Sequence, residues 1–354
     1  MTGVIVDDYI AGSSAPANIT GFKPWRNSGC ALSFAVQPSV CWRSLFVTHG
    51  QNAPTVDKEA QAKAAADLKA RIEAPPELPF HGVHFAAQHS GPGWESGMVS
   101  WMALGANGII YELQRGEKAD PVLALDRNGK VLRSWGKGDY KIPHSIRVDP
   151  AGNVWTVDAQ ASTVIKYSPQ GQKLMTIEVG EQPHRSNGFS GSTDIAFGPN
   201  GRLFIADGYG NARVLEYSPD GKRVKQWGTA GTGPGEFKLP HSIQIDEKGI
   251  VYVADRENGR IQKFTLEGKY VGEIGHLGRT FSLKLAGNTL WAGIKQLNEP
   301  TGAAGWIVKF DRDSGKMLGH LVVAEERGLH SVEQTASGEP VTVLGNQVLW
   351  FKKK

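Results

Sequence analysis

The sequence predicts an all-β fold, a six-bladed β-propeller, and three observations predict it. The chain repeats itself at a period of about 43 residues, each copy holds four short runs of alternating apolar residues, and turn formers such as PAGN, SPQGQ, PNGR, SPDGK and EKGI separate the runs. Four strands at this period read as a propeller blade, because one small sheet cannot bury both faces until neighbours stack on it. The 44 Gly and 19 Pro suit such a turn-dense chain, and 354 residues is a length that all-β rings reach as one unit.

Residues 1–79 read as an N-terminal extension. The apolar stretch at residues 30–47 is broken by Gln37, Pro38 and Arg43, too interrupted for a membrane span. It follows Lys23 and Arg26 and precedes small residues, so a degraded signal segment and a disordered extension are the two readings; the first places the protein in a secreted or periplasmic compartment. Cys30 and Cys41 both fall here, and the repeats contain no cysteine. Residues 56–74 are Ala-rich with helix-forming charges and predict one solvent-exposed helix ended by Pro75 and Pro76.

The propeller is expected over residues 80–354. Residues 138–180, 188–228 and 233–275 are the clear blades; residues 97–136 and 278–319 are weaker copies. The last copy supplies only three strands, HSVEQT, PVTVL and QVLWFKKK. The run FHGVHFAAQ at residues 80–88 belongs to no blade of its own, and is assigned as the missing outer strand, which closes the ring and removes the open edge. The net charge of +4 is modest and Lys and Arg are scattered, so no nucleic-acid footprint is read. A monomer is expected.

His144, His241 and His330 occupy one repeat position, in IPHSIRVD, LPHSIQID and GLHSVEQT. They lie 97 and 89 residues apart, each about two blades, which sets them roughly 120° apart around a six-fold ring. Equivalent residues at the start of the innermost strands project into one layer of the axial channel. The matching positions in the intervening blades are read as Ser100, Thr193 and Ser282, small enough to leave room for a metal. Three neutral imidazoles with an open fourth place form a zinc arrangement. The alternative is that each His-Ser merely caps a turn. His81 and His84, three apart on a strand, point to opposite faces and are not read as ligands; nor is His184, which precedes a loop.

The blades resemble NHL repeats. The combination of IPHSI, DGYGNAR (207–213), LPHSI and DRENGR (255–260) is similar to the peptidyl-α-hydroxyglycine α-amidating lyases, over roughly residues 100–354 and most closely over 193–275. The resemblance implies a six-bladed propeller with one zinc on three His, and cleavage of the N–Cα bond of a carbinolamide to an amide and glyoxylate. Carried over to this chain, His144, His241 and His330 match the zinc ligands, Tyr209 matches a proton-transferring tyrosine, and Arg256 and Arg115 match two active-site arginines. Zinc suits the lowering of a hydroxyl pKa, a phenolate held near cations can accept the proton, and guanidinium forks suit the carboxylate of a small-molecule or peptide substrate. Otherwise Tyr209 packs at a blade edge and the arginines are salt-bridged loop residues.

Three departures limit the likeness. Ser331 stands where the family has an acidic residue that helps bind a structural calcium, so calcium is not carried over, although the Ile146 carbonyl could still contribute. Leu329 stands where the family has proline before the third His, and Gly210 stands for a half-cystine. No copper-dependent hydroxylating partner domain is read in the chain. Two other classes stay open: a metal-dependent hydrolase or lactonase on the same scaffold, and a non-catalytic NHL binding module.

Overall fold

The structure is a computed structural model that describes residues 58–105, 108–183, 188–297, 305–324 and 328–354. Cys30, Cys41 and His184, with most of the expected extension, lie outside the described residues. Alternating apolar runs fold into six four-stranded antiparallel sheets; in five of them the strands run in sequence order from the axis outward, and in the sixth the outermost place is taken by a strand from before the first blade. In the second blade Pro143–Val148 lies innermost, followed by Val154–Asp158, Thr163–Tyr167 and Lys173–Glu178. The innermost strands of the other blades are Val99–Leu104, Asp194–Phe197, Pro240–Ile245, Arg279–Ala286 and Gly328–Gln334.

Burial falls steeply from axis to rim, as stacked blades require. Val154–Asp158 is buried throughout, whereas the outer strand Lys173–Glu178 buries one residue of six. The core lies between blades: Trp101, Tyr111 and Val122 of the first blade pack on Ile146, Val154 and Tyr167 of the second. Comparable clusters join the other neighbours, and Ile110 and Leu123 of the first blade meet Val341 and Val343 of the last.

The ring is closed by Phe80–Ala86, which pairs antiparallel with Gln347–Lys353 from Phe80↔Lys353 to Ala86↔Gln347. His81 and His84 are exposed on this outer strand. The expected helix is present as Lys58–Glu73, but it is not solvent-exposed throughout. Leu68 and Ile72 share one face at i, i+4 and pack against the cluster between the fourth and fifth blades, with Ile72 wholly buried. Trp306 Nε1–H donates to Glu73 Oε1 at 3.0 Å, fixing the last helical turn. No helix among the described residues is long and apolar enough to cross a membrane.

Candidate metal centre

A β-bulge places each ring residue. The ladder register shifts between Pro143 and Ser145, between Pro240 and Ser242, and across Gly328 to Val332. The extra residue of a bulge leaves the ladder and its side chain is re-aimed. His144 and His241 are those extra residues, and His330 lies within the wider irregularity. The three imidazoles offer ligand atoms all within 4.8 Å of one another, and ring centroids 4.7 to 5.0 Å apart.

The intervening blades supply carbonyls. His144 Nδ1–H donates to Thr193 O at 2.6 Å, His241 Nδ1–H to Phe281 O at 2.5 Å, and His330 Nδ1–H to Ser100 O at 2.6 Å. A carbonyl only accepts, so each Nδ1 carries the proton and the ring is turned to face Nε2 inward, the arrangement by which an outer hydrogen bond orients a metal-binding imidazole. Burial holds the His144 pKa well below the usual histidine value, with His330 and Arg115 nearby adding to the effect. Burial does the same to His241, helped by Arg256, His330 and His144. Neutral imidazoles with converging Nε2 lone pairs suit a borderline divalent cation such as zinc. The residues present therefore fit the group that the resemblance implies.

One expectation is corrected. The bulge between Thr280 and Ser282 makes Phe281, not Ser282, the ring equivalent of the histidines in the fifth blade. The signal was in the sequence: Ser282 matches Ser145 and Ser242, which follow His144 and His241, so FSL aligns with HSI. Phe281 consequently walls the site, its ring 5.5 Å from that of His241, and the Arg256 guanidinium lies 4.9 Å over it. Ser100 and Thr193 hold their expected positions and offer carbonyls as well as space.

The two family-like motifs are loop clamps. In DGYGNAR, Asp207 accepts from Asn211 Nδ2 at 3.0 Å and Arg213 Nε at 2.8 Å; in DRENGR, Asp255 accepts from Asn258 Nδ2 at 2.8 Å and Arg260 Nε at 2.9 Å. Each clamp pins a short loop whose apex residue faces the axis. The first presents Tyr209, whose hydroxyl lies 3.0 Å from His144 Nε2 and 3.3 Å from His241 Nε2. The second presents Arg256, buried, with its guanidinium 5.9 Å over the Tyr209 ring. Gly210 answers a backbone need: a Cβ there would meet Ser190 O at 2.0 Å, so a cysteine cannot stand in this loop without a shift.

Arg115 approaches from the first blade. Its Nε–H donates to Pro143 O at 2.8 Å, and its guanidinium lies 5.6 Å over Phe189, which packs on Tyr209. Its Nη2 is buried with no hydrogen-bond partner among the described residues. The structure thus brings all six expected site residues to one end of the channel.

Sequence reasoning missed the floor. Trp101 is wholly buried, its ring centred 5.3 to 6.2 Å from the three imidazoles. The Arg147 guanidinium lies 4.9 Å over the ring and donates to Asp194 at 2.9 and 2.6 Å, to Glu333 at 3.2 Å and to Ser242 at 3.2 Å. Lys284 pairs with the other Glu333 oxygen, and Ser331 Oγ accepts from the Met102 N–H at 3.3 Å.

A family model described as a 6-bladed beta-propeller matches residues 192–284. Peptidylglycine alpha-amidating monooxygenase of Rattus norvegicus is 35% identical over 229 residues, 59% of this chain and 23% of that protein. Peptidyl-alpha-hydroxyglycine alpha-amidating lyase 1 of Drosophila melanogaster is 37% identical over 156 residues, 40% of this chain and 29% of that protein. The chain spans under a third of the length of these relatives. A streptogramin B lyase structure aligns with 78% of this chain and 98% of its own at a TM-score of 0.53 and 16% identity, a likeness of fold alone.

Proposed function

We propose that this chain is a metal-dependent carbon–nitrogen lyase of the peptidyl-α-hydroxyglycine amidating type, cleaving the N–C bond of a carbinolamide to give an amide and glyoxylate or a related carbonyl product. The amidating names of its moderately identical relatives support the reading. The observation that carries it is the buried Nη2 of Arg115 beside three converging imidazoles. A buried guanidinium donor without an acceptor is costly, and a substrate carboxylate supplies one.

A divalent metal on His144, His241 and His330 would supply a Lewis acid toward the substrate hydroxyl. Arg115 and Arg256 bind and orient the carboxylate, while Phe189, Phe281 and Trp101 exclude water from the walls and floor. Tyr209, as the phenolate beside Arg256, accepts the hydroxyl proton at its oxygen. The C–O bond becomes a carbonyl as the C–N bond breaks, and the amide nitrogen takes the proton. Calcium forms no part of this proposal, because Asp194 and Glu333 already face Arg147. Export to a secreted or periplasmic compartment belongs to it, a reading supported by the basic, apolar and small-residue order of residues 23–53.

The test is release of glyoxylate from an N-acyl-α-hydroxyglycine. Tyr209→Phe should lower turnover about 100-fold or more with metal content unchanged, the loss expected for a general base. Hydrolysis of simple esters without glyoxylate release would contradict the lyase reading in favour of a hydrolase.

A further inference from the structure

Glu257, the third residue of DRENGR, has no role in the mechanism above, yet it is nearly buried at the site rim between two arginines. Arg256 Nε–H donates to its Oε1 at 2.8 Å, and Arg279 Nε–H to its Oε2 at 3.2 Å. Arg279 opens the innermost strand of the fifth blade, two residues before Phe281, so one carboxylate ties the fourth-blade loop to the blade that carries the aromatic wall.

The choice of atom matters. A guanidinium presents five N–H donors in a rigid planar fork. A carboxylate bound at Nε fixes the rotation of that plane and so the direction in which its Nη donors point. Glu257 holds both arginines in this way. Glu257 offsets one of the two guanidinium charges at this spot, where two bare arginines would repel each other.

We propose that Glu257 is a positioning residue: it aims Arg256, recruits Arg279 as a second guanidinium at the rim, and tunes the pair to a substrate bearing one carboxylate at the reacting end. The proposal rests on the lyase reading for the identity of that carboxylate, but its test does not depend on turnover. Arg279 is a specificity determinant in this scheme and has no part in proton transfer.

The experiment is calorimetric binding of glyoxylate to the purified protein, with metal content and thermal midpoint measured alongside, for the wild type, Glu257→Gln, Glu257→Asp and Arg279→Gln. Glu257→Gln should weaken glyoxylate binding at least tenfold with metal content retained, Glu257→Asp should recover part of the loss, and Arg279→Gln should weaken binding by a smaller factor. In turnover, Glu257→Gln should raise KM for the N-acyl-α-hydroxyglycine far more than it lowers kcat, and should narrow the preference for the free acid over its methyl ester. Wild-type affinity in Glu257→Gln, or a loss that follows metal loss or unfolding step for step, overturns the proposal, as does absence of glyoxylate binding in the wild type. If glyoxylate binds in a Glu257-dependent way and no α-hydroxyglycine is cleaved, the positioning role stands and the lyase reading falls.

Discussion

Two layers of the same axial channel, separated by the ring of Trp101, differ in how they treat charge. Below it, Arg147, Asp194, Glu333 and Lys284 form a network in which each charged group faces an opposite one. Above it, three imidazoles have Nδ1 committed to carbonyls, and the Nε2 atoms of His144 and His241 share one tyrosine hydroxyl proton. Arg115 and Arg256 lie over its aromatic walls, and the carboxylate at its rim, Glu257, is shared between Arg256 and Arg279. The lower layer is complete in itself and locks the blades together; the upper layer is built to receive something from outside. The contrast teaches that buried polar side chains on a propeller axis signal function only when the protein does not itself supply all their partners.

The largest effect that could break this division comes from the lower layer. Arg147→Ala would leave Asp194 and Glu333 buried without their guanidinium, and removing one partner of a buried ion pair costs about 3–5 kcal/mol. The thermal midpoint should fall by about 5–8 °C, read by calorimetry. Metal affinity, once the variant is folded, should change far less than stability. A variant that keeps its midpoint but loses metal would show that the two layers are not separate in role.

A smaller effect sharpens the comparison with a buried group in neither layer. Glu112 shares its face of the first blade with Ile110, opposite Met102 and Leu123, in the seam with the last blade. Its carboxyl oxygens have no hydrogen-bond partner among the described residues, and burial pushes its pKa up to about 8 from an ordinary 4.5. A raised folded-state value means that the native state holds the proton more tightly than the unfolded chain. The associated stability is complete below the ordinary value and is lost as pH rises toward about 8. Melting curves should therefore fall between pH 5 and pH 8.5 by more in the wild type than in Glu112→Gln, with about 2–4 °C of difference for each kcal/mol lost. Parallel curves would mean that the seam holds an ionised carboxylate.

Much of this was legible in the chain because repetition exposes it. Four alternating runs per unit, and the missing strand at the C-terminal end, suffice to read the ring and its closure by Phe80–Ala86. Recurrence of HS at one repeat position marks the histidines, since a residue type that returns in alternate blades lands on one axial level. What escaped was set by offsets smaller than the repeat. The bulge in the fifth blade is legible only from the one-residue alignment of FSL with HSI, and an offset of that size let Ser282 stand in for Phe281. Trp101 and Arg147 occur once each rather than per repeat, and their meeting on the axis depends on ring geometry. Leu68 and Ile72 were hidden in an Ala- and charge-rich helix whose overall pattern reads as solvated.

The claim at the centre is that His144, His241 and His330 hold a divalent metal through Nε2, and elemental analysis of the purified protein tests it most directly. Protein prepared without chelator should carry about one equivalent of zinc or a similar divalent ion, the stoichiometry of a single three-histidine site. His241→Ala should lose that metal while keeping its strand content by circular dichroism. Metal near zero in the wild type, or the same content in His241→Ala, would contradict the account.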